Sequence, residues 1–375
     1  MRLVLTSLLV AVLVACGSEP AVISDQDLPQ VGEGEKTLAP PIRLDVGSAV
    51  ASSREQHVLA MPANHKGQAA LFDVESGTWR LTAPVPFQES LYNPIAVWAG
   101  DAYLVLGNRC GTSSDAGGAL PVCEPGGLAA ALYAPSNDRW TAVESPAGTS
   151  EVLSLAAIGS IGERSFVQLE STAYVYDDGL KRWEQLPDAP APWDRVCISG
   201  GLLVAGGSQS ANVAVFGQSG ILDTSLTPDE PPLSGSVFDP TTGRWSSIAR
   251  AGPVDGGGEF QAICSADGLL MIPTGPPLLD DAWSVYSFNE VGWTTLPPPP
   301  ERLGAIYASV PSNDSTTMWA EGVRATLSRP PGAVWETLPG PENVLAASPV
   351  DSDRVLLVRR MKGGQPLTEV VRTGA

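Results

Sequence analysis

One phrase recurs six times along this chain and constrains its fold more than any other feature. Each copy holds a short apolar or aromatic strand, a turn, a tryptophan and a further hydrophobic residue, and most copies end in prolines. The tryptophans lie at spacings of 61, 43, 62, 48 and 42 residues and are Trp79, Trp140, Trp183, Trp245, Trp293 and Trp335. A period of about 45 residues, with insertions of about 15 to 20 residues in two copies, is typical of chains whose similar units stack side by side.

Each unit is predicted to contain four short strands. Two further strand candidates precede the tryptophan phrase, clearest at residues 195–198 and 200–207, and a tight turn at Glu75-Ser76-Gly77 separates the last two strands of the first unit. Short apolar runs bounded by glycine predict hairpins rather than helices. A four-stranded sheet with two apolar faces cannot bury either face alone, so the units are expected to pack as blades around a ring.

This pattern resembles the kelch repeat, in which a strand, a double glycine, an aromatic strand and a tryptophan follow one another. The match covers residues from about 47 to 345; the double glycine is complete only at Gly206-Gly207 and is replaced by Gly107-Asn108 and Thr274-Gly275 elsewhere. The resemblance implies an all-β, kelch-like β-propeller of the galactose oxidase type, with each tryptophan packed between neighbouring blades.

The two ends of the chain bear on how the ring closes. Three strand candidates without a tryptophan follow the sixth phrase, in the segments VLAASPV, RVLLVRR and LTEVVRTG. The segment Pro41–Val46, which precedes the first complete unit, could supply a fourth strand and close the ring by pairing the N- and C-terminal strands. We therefore predict one propeller domain over residues 41–375 with seven blades, and six blades as the alternative.

Composition narrows the classes of partner. Lysine and arginine number 22 against 41 for aspartate and glutamate, which gives a formal net charge of −19. Such a surface repels phosphate backbones, so nucleic acid is not expected as a partner. The content of 43% hydrophobic and 17% charged residues predicts a packed globular domain.

The first fifteen residues are predicted to be an export signal. The apolar stretch from Leu3 to Ala15 has 13 residues, fewer than the roughly 20 that a helix needs to cross a bilayer, so cleavage is expected rather than retention in the membrane. The tetrad Leu13-Val14-Ala15-Cys16 resembles the lipobox of bacterial lipoproteins, which implies that Cys16 is lipidated and anchors the chain at the extracytoplasmic face of the cell envelope. The alternative is an ordinary signal peptide with a chance cysteine.

Residues 16–40 are polar and acidic, without a sustained apolar period. They are predicted to form a flexible tether that holds the propeller about 25–30 Å from the lipid.

Four further cysteines remain, Cys110, Cys123, Cys197 and Cys264. An even number in an exported chain predicts two disulfides, for which three connectivities are possible. The alignment of the repeats favours Cys110 with Cys123 and Cys197 with Cys264.

Candidate binding residues gather at one predicted face of the ring. In this architecture the links between successive blades and the links between the second and third strands of a blade lie on the same face of the ring. The insertions at 107–127 and 206–235 are therefore expected to lie over one mouth of the central channel. A charged residue recurs just before the innermost strands, at Glu55, Glu89, Glu151, Asp194, Glu259, Glu301 and Glu342, and Arg54, Arg195 and Arg302 adjoin three of these. Converging carboxylates would attract a cationic ligand; the alternative is ordinary solvated loop charge.

Trp193 stands next to Asp194 and Arg195, a combination of aromatic face and charge that sugar-binding sites often present. The alternative is packing at a blade edge.

No catalytic residue, metal ligand or cofactor is assigned from the sequence. Histidine occurs only at positions 57 and 65, and we find no phosphate-binding loop, nucleophile elbow or paired-cysteine metal spacing. The main prediction is a surface-tethered propeller that acts as a protein- or glycan-binding or scaffolding module. The alternatives are a carbohydrate-active enzyme of the sugar epimerase or lyase type, using carboxylates and arginines at the channel mouth, and a calcium-stabilised structural protein.

Overall fold

The architecture is taken from a computed structural model, which describes residues 38–44, 48–53, 56–63, 68–87, 90–111, 122–146, 155–161, 164–169, 172–187, 195–199, 202–208, 233–249, 260–265, 267–273, 284–289, 291–301, 303–329, 332–361 and 366–373. Every regular element in these ranges is a β-strand. Within the same ranges, no helix is long and apolar enough to cross a membrane.

Six sheets have four antiparallel strands each, paired in chain order. Blade 1 comprises β1 Ala49–Ser52, β2 His57–Met61, β3 Ala70–Asp73 and β4 Thr78–Leu81. Blade 2 comprises β5 Ser90–Ala99, β6 Ala102–Gly111, β7 Val122–Ala134 and β8 Arg139–Val143. Blade 3 comprises β9 Leu155–Ile161, β10 Arg164–Leu169, β11 Thr172–Asp177 and β12 Arg182–Gln185. Blade 4 comprises β13 Arg195–Ser199, β14 Leu202–Ser208, β15 Leu233–Asp239 and β16 Arg244–Ala249.

Blade 5 comprises β17 Phe260–Ser265, β18 Gly268–Pro273, β19 Val285–Asn289 and β20 Gly292–Leu296. Blade 6 comprises β21 Ile306–Pro311, β22 Ser315–Ala320, β23 Val323–Ser328 and β24 Trp335–Pro339. A seventh sheet has three strands, β25 Val344–Pro349, β26 Arg354–Arg360 and β27 Pro366–Arg372.

The first strand of each sheet lies next to the first strand of the following sheet, and β25 lies next to β1. The chain is therefore an all-β propeller with six complete blades, and the three-stranded seventh sheet lies between blade 6 and blade 1. The prediction of seven blades is corrected to the alternative of six, because the seventh sheet lacks an outer strand among the described residues.

The predicted closing strand at Pro41–Val46 does not form over its described part, residues 41–44. Ile42 and Leu44 are instead buried at the junction of the seventh sheet and blade 1, in a cluster with Trp79 and Val358. Pro41 has no amide hydrogen to donate to a neighbouring strand, which disfavours pairing at this point. The segment thus covers the junction without joining a sheet.

A four-residue turn positions the tryptophan in the outer strand. The Gly77 amide donates to the Asp73 carbonyl at 2.9 Å, and Gly77 has a φ of 66°, which agrees with the tight turn predicted here. The equivalent positions Asp138, Lys181 and Gly243 have φ values of 50°, 51° and 64°. The left-handed backbone conformation therefore recurs just before the tryptophan strand, and glycine occupies it in two of these four blades.

The six tryptophans are equivalent, as the repeat predicts. Five of them pack on the aromatic residue opposite them in the third strand, in the pairs Phe72–Trp79, Tyr133–Trp140, Tyr176–Trp183, Phe238–Trp245 and Phe288–Trp293. Each indole Nε1 donates a hydrogen bond to the preceding sheet or to one of the two residues that follow it. In the chain order of the tryptophans, the acceptors are Thr368 Oγ1, Thr82 Oγ1, Glu144 O, Pro187 O, Ile248 O and Pro297 O. The tryptophans thus join each sheet to its neighbour around the ring.

A disulfide joins the innermost strands of blades 4 and 5. Cys197 in β13 and Cys264 in β17 are bonded, with their Cα atoms 5.4 Å apart, which is the pairing that the repeat alignment favours. Cys110 and Cys123 lie opposite each other in the ladder of β6 and β7. The structure does not describe their side chains, so the disulfide between Cys110 and Cys123 stays a prediction.

Candidate functional site

The strand bounds place both insertions where the sequence predicts them. One links β6 to β7 in blade 2 and the other links β14 to β15 in blade 4, so both connect a second strand to a third. Residues 112–121 and 209–232 of these insertions lie outside the described residues. The face on which such links emerge is called the insertion-bearing face below.

Most of the predicted mouth residues also fall outside the described residues, namely Glu55, Glu89, Glu151, Trp193, Asp194, Glu259 and Arg302. Glu301 and Glu342 are described and exposed, and they precede β21 and β25 respectively. Arg195 begins β13, but its side chain is not described. Glu55 comes between β1 and β2 in the chain, so it does not precede an innermost strand as the prediction required.

A site that the sequence analysis missed opens between blades 2 and 3. It is a groove of about 620 Å³, within the range of about 300–1,000 Å³ that is common for ligand sites. Its lining residues are Leu132, Thr141, Ala142, Val143, Glu144, Ser145, Tyr176, Lys181, Arg182 and Trp183. We call it the blade 2–3 groove.

Strand register explains which side chains form its two walls. Thr141 lies opposite Leu132 in the ladder of β7 and β8, and Leu132 packs with Tyr176 of blade 3, so this side of β8 faces the groove. The other wall is formed by Tyr176 and Trp183, whose ring centroids are 5.0 Å apart. Trp183 Nε1 donates to the Glu144 carbonyl at 2.6 Å and ties the two walls together.

The groove has an apolar middle and polar ends. At the end away from the insertion-bearing face, Lys181 Nζ lies 2.6 Å from Asp178 Oδ1 and the neighbouring Arg182 is exposed. Glu144 and Ser145 lie at the other end, just after β8. Burial, together with the charges of Asp178 and Asp177, raises the pKa of Tyr176 to about 12, so its hydroxyl stays neutral at physiological pH.

The seam between blades 1 and 2 shows why this groove stays open, because the equivalent space there is filled. Arg80 Nη1 lies 2.9 Å from Asp138 Oδ1, and Arg80 Nη2 donates to the Tyr133 hydroxyl at 3.2 Å. The Tyr133 hydroxyl in turn donates to Asp138 Oδ1 at 2.6 Å. This network bridges the outer strand of blade 1 and the turn of blade 2.

At the blade 2–3 seam, the residues at the same positions cannot form that network. Tyr176 takes the place of Tyr133, but Thr141 stands where blade 1 has Arg80, and Lys181 stands where blade 2 has Asp138. A short hydroxyl side chain and an ammonium group form no ion pair with each other. The groove therefore lacks the hydrogen-bonded and ion-paired network that fills the seam between blades 1 and 2.

Metal-binding chemistry has no support in the described part of the chain. No group of three or more His, Cys, Asp or Glu side chains there is arranged to hold a metal ion.

No protein-family model and no curated protein matches the sequence. Solved structures do match. One described as YCF48 bound to D1 peptide has a TM-score of 0.54 at 15% identity, covering 90% of this chain and 94% of that chain. The match agrees with the ring of sheets described above. The chain has a propeller fold.

Two further structures are similar to this propeller. The hydrazine synthase of Kuenenia stuttgartiensis has a TM-score of 0.54 at 12% identity, over 88% of this chain and 97% of that chain. A chain of the mitotic checkpoint complex has a TM-score of 0.56 at 10% identity, over 99% of both chains. At these identities the likeness concerns the fold alone, and the kelch-type assignment stays a prediction.

Proposed function

We propose that this propeller is a protein-binding module and that the blade 2–3 groove receives an extended segment of the partner protein. The observation that carries the proposal is the groove itself. It follows β8, which has five residues and a length of about 17 Å, so its dimensions suit an extended peptide. The ring, in which each sheet is joined to its neighbour, is also a rigid scaffold suited to binding a partner protein.

The lining of the groove suggests the chemistry of the segment. The half-buried Val143 and Trp183 would contact apolar side chains in its middle, and the buried Tyr176 supports the Trp183 ring from behind. Lys181 and Arg182 favour an acidic residue at one end. The negative net charge of the chain repels an acidic segment in the groove only weakly, because salt screens charges that lie more than about 8 Å away.

Two of the similar structures support a protein partner in general terms. One is described as bound to a peptide and another belongs to a multiprotein complex. The enzyme alternative is not favoured: of the mouth residues that it requires, only Glu301 and Glu342 have described side chains, and neither lines the blade 2–3 groove.

The N-terminal sequence supports a proposal for the location of the module. We include in the proposal that Cys16 carries a lipid that tethers a kelch-type propeller to the cell envelope, because Leu13-Val14-Ala15-Cys16 resembles a lipobox. Glycan binding at the channel mouth is retained only as an outcome of the test below.

The test uses a variant that closes the groove and a matched variant that alters the next seam. Thr141→Arg with Lys181→Asp recreates the network of Arg80, Tyr133 and Asp138 in the blade 2–3 seam. The control places the same pair one seam further on, as Glu184→Arg with Gly243→Asp.

A library of displayed 12-residue peptides is selected on the unaltered protein, and the affinities of the selected peptides are measured for all three proteins. We expect at least tenfold weaker binding to the groove-closing variant and unchanged binding to the control. Equal binding to all three proteins would refute the groove as the site. Failure to select any peptide, together with specific binding on a glycan array, would refute the protein-binding function.

A further inference from the structure

The blade 2–3 groove contains a buried hydroxyl group without a hydrogen-bond partner among the described residues. Tyr176 is 1% exposed and lines the groove, and its hydroxyl forms no hydrogen bond with any of these residues. Burying a hydroxyl without a partner costs free energy, so nearly all such groups in folded proteins meet a donor or an acceptor. A group bound in the groove would satisfy this one.

The equivalent tyrosine in the preceding seam shows which kind of group fits beside it. The Tyr133 hydroxyl donates to Asp138 Oδ1 at 2.6 Å. The same oxygen lies 2.9 Å from Arg80 Nη1 and accepts a hydrogen bond from the Ala83 amide at 3.2 Å. Donors from both sides of the blade 1–2 seam thus converge on one carboxylate oxygen. We call this arrangement of donors the carboxylate cradle.

The blade 2–3 groove has donors at the same positions of the cradle. Counted from the tryptophan of the outer strand, Thr141 is equivalent to Arg80, and both Thr141 and Glu144 line the groove. By the same count, the Glu144 amide is equivalent to the Ala83 amide. The Glu144 backbone is held against blade 3, because its carbonyl accepts the hydrogen bond from Trp183 Nε1 at 2.6 Å. Neither the Thr141 hydroxyl nor the Glu144 amide has a hydrogen-bond partner in the described part of the chain.

No side chain described in this groove supplies the carboxylate that the cradle receives in the preceding seam. Lys181 stands where blade 2 has Asp138. Asp178 does not line the groove, and its Oδ1 accepts from Lys181 Nζ at 2.6 Å. The Glu144 side chain is exposed, so water and salt screen its charge. The cradle in the groove therefore has donors and a neighbouring cation, and an anionic acceptor would complete it.

We propose that the partner segment places an aspartate or glutamate side chain in the groove, where its carboxylate takes the position that Asp138 holds in the preceding seam. The Tyr176 hydroxyl and the Glu144 amide donate to this carboxylate, and Lys181 lies beside it. Hydrogen bonds to a charged acceptor are stronger than those to a neutral one, so this contact selects acidic segments. The inference rests on the proposed function, because it names the residue class that the same groove recognises.

The test uses the peptides selected on the unaltered protein and measures their dissociation constants by calorimetry. Each acidic residue of a peptide is replaced in turn by its amide, aspartate by asparagine and glutamate by glutamine. One such replacement should weaken binding to the unaltered protein by about tenfold or more, the usual effect of losing a hydrogen bond to a charged group. In Tyr176→Phe, which lacks one donor, the same replacement should have an effect smaller by about threefold or more.

The matched control is Tyr174→Phe, which lies two residues earlier in the same strand and does not line the groove. It should keep the full preference for the acidic peptide. Thr141→Val is a second variant that removes a donor of the cradle at an exposed position of β8, where the fold tolerates the change. It should reduce the preference as Tyr176→Phe does.

The outcomes separate this inference from the proposed function. Peptides that bind poorly to the groove-closing variant, but depend on none of their acidic residues, would overturn the inference and leave the proposed function in place. A preference for the acid that both Tyr176→Phe and Thr141→Val leave unchanged would also overturn it. Peptides that bind the groove-closing variant as tightly as the unaltered protein would refute the proposed function and this inference together.

Discussion

Trp79 Nε1 donates a hydrogen bond of 2.8 Å to Thr368 Oγ1, which lies 289 residues further along the chain. This bond joins blade 1 to the seventh sheet and so connects the first and last parts of the ring. Ser52 Oγ contributes a second link at the same junction, donating to the Val350 carbonyl at 3.1 Å. The junction is therefore held by side-chain hydrogen bonds and apolar packing.

Removing the acceptor at this junction is expected to destabilise the whole domain. Trp79 is fully buried, at 0% exposure, so Thr368→Val leaves its indole N–H unpaired at a cost of about 1–3 kcal/mol. The control is Thr295→Val on exposed β20, for which we expect less than about 0.5 kcal/mol. Urea unfolding measures both values, and equal effects of the two substitutions would contradict the closing role of the bond.

The seam between blades 1 and 2 is expected to make stability depend on pH. Burial alone would raise the pKa of Asp138, but hydrogen bonds from Tyr133, Arg80 and the Ala83 amide outweigh it and lower the pKa below its usual value. The folded protein then binds fewer protons than the unfolded chain, so this stabilisation is present above pH ~4 and is lost as the pH falls through the folded pKa.

Asp138→Asn should accordingly lower the free energy of unfolding by about 1 kcal/mol at pH 7, the usual net contribution of a hydrogen bond. The difference from the unaltered protein should shrink as the pH is lowered below 4, because the unfolded chain then takes up a proton that folded Asp138 binds only at lower pH. Denaturant unfolding of both proteins at pH 7 and pH 3 measures this difference in the free energy of unfolding. A difference of the same size at both pH values would show that the carboxylate charge has no part in this network.

The disulfide between Cys197 and Cys264 is expected to contribute to stability because it closes a long loop. For a sequence separation of 67 residues, the chain-entropy model gives about 4 kcal/mol. The double substitution Cys197→Ser and Cys264→Ser should lower the melting temperature, and the unaltered protein should lose a similar amount in reductant. A melting temperature that neither change affects would contradict this contribution.

Much of the fold could be predicted from the sequence, because the tryptophan phrase repeats a physical unit. Trp79 and its counterparts mark the outer strands, and Gly77 marks the turn that precedes the first of them. The strand predicted at Pro41–Val46 was wrong over its described part, residues 41–44, because the apolar pattern alone looks like a strand. Pro41 cannot donate to a ladder, and tertiary packing holds Ile42 and Leu44 at the junction instead.

The blade 2–3 groove could not be found in the same way. Trp140 and Trp183 belong to equivalent phrases, so the sequence gives no reason to single out the seam between them. The difference arises from Thr141 and Lys181, which come into position only through strand register and a turn residue of positive φ. Their offsets from Trp140 and Trp183 can be compared with those of Arg80 and Asp138 in the sequence, but the contacts across the seam are visible only in the structure.

Hydrogen exchange with a selected peptide bound tests the central claim most directly. If the groove is the binding site, the peptide should slow exchange at residues 139–145 and 176–183 and leave residues 238–245 of blade 4, which are equivalent to 176–183, unchanged. Slowing confined to other parts of the ring, or to the insertion-bearing loops, would contradict a partner bound between blades 2 and 3.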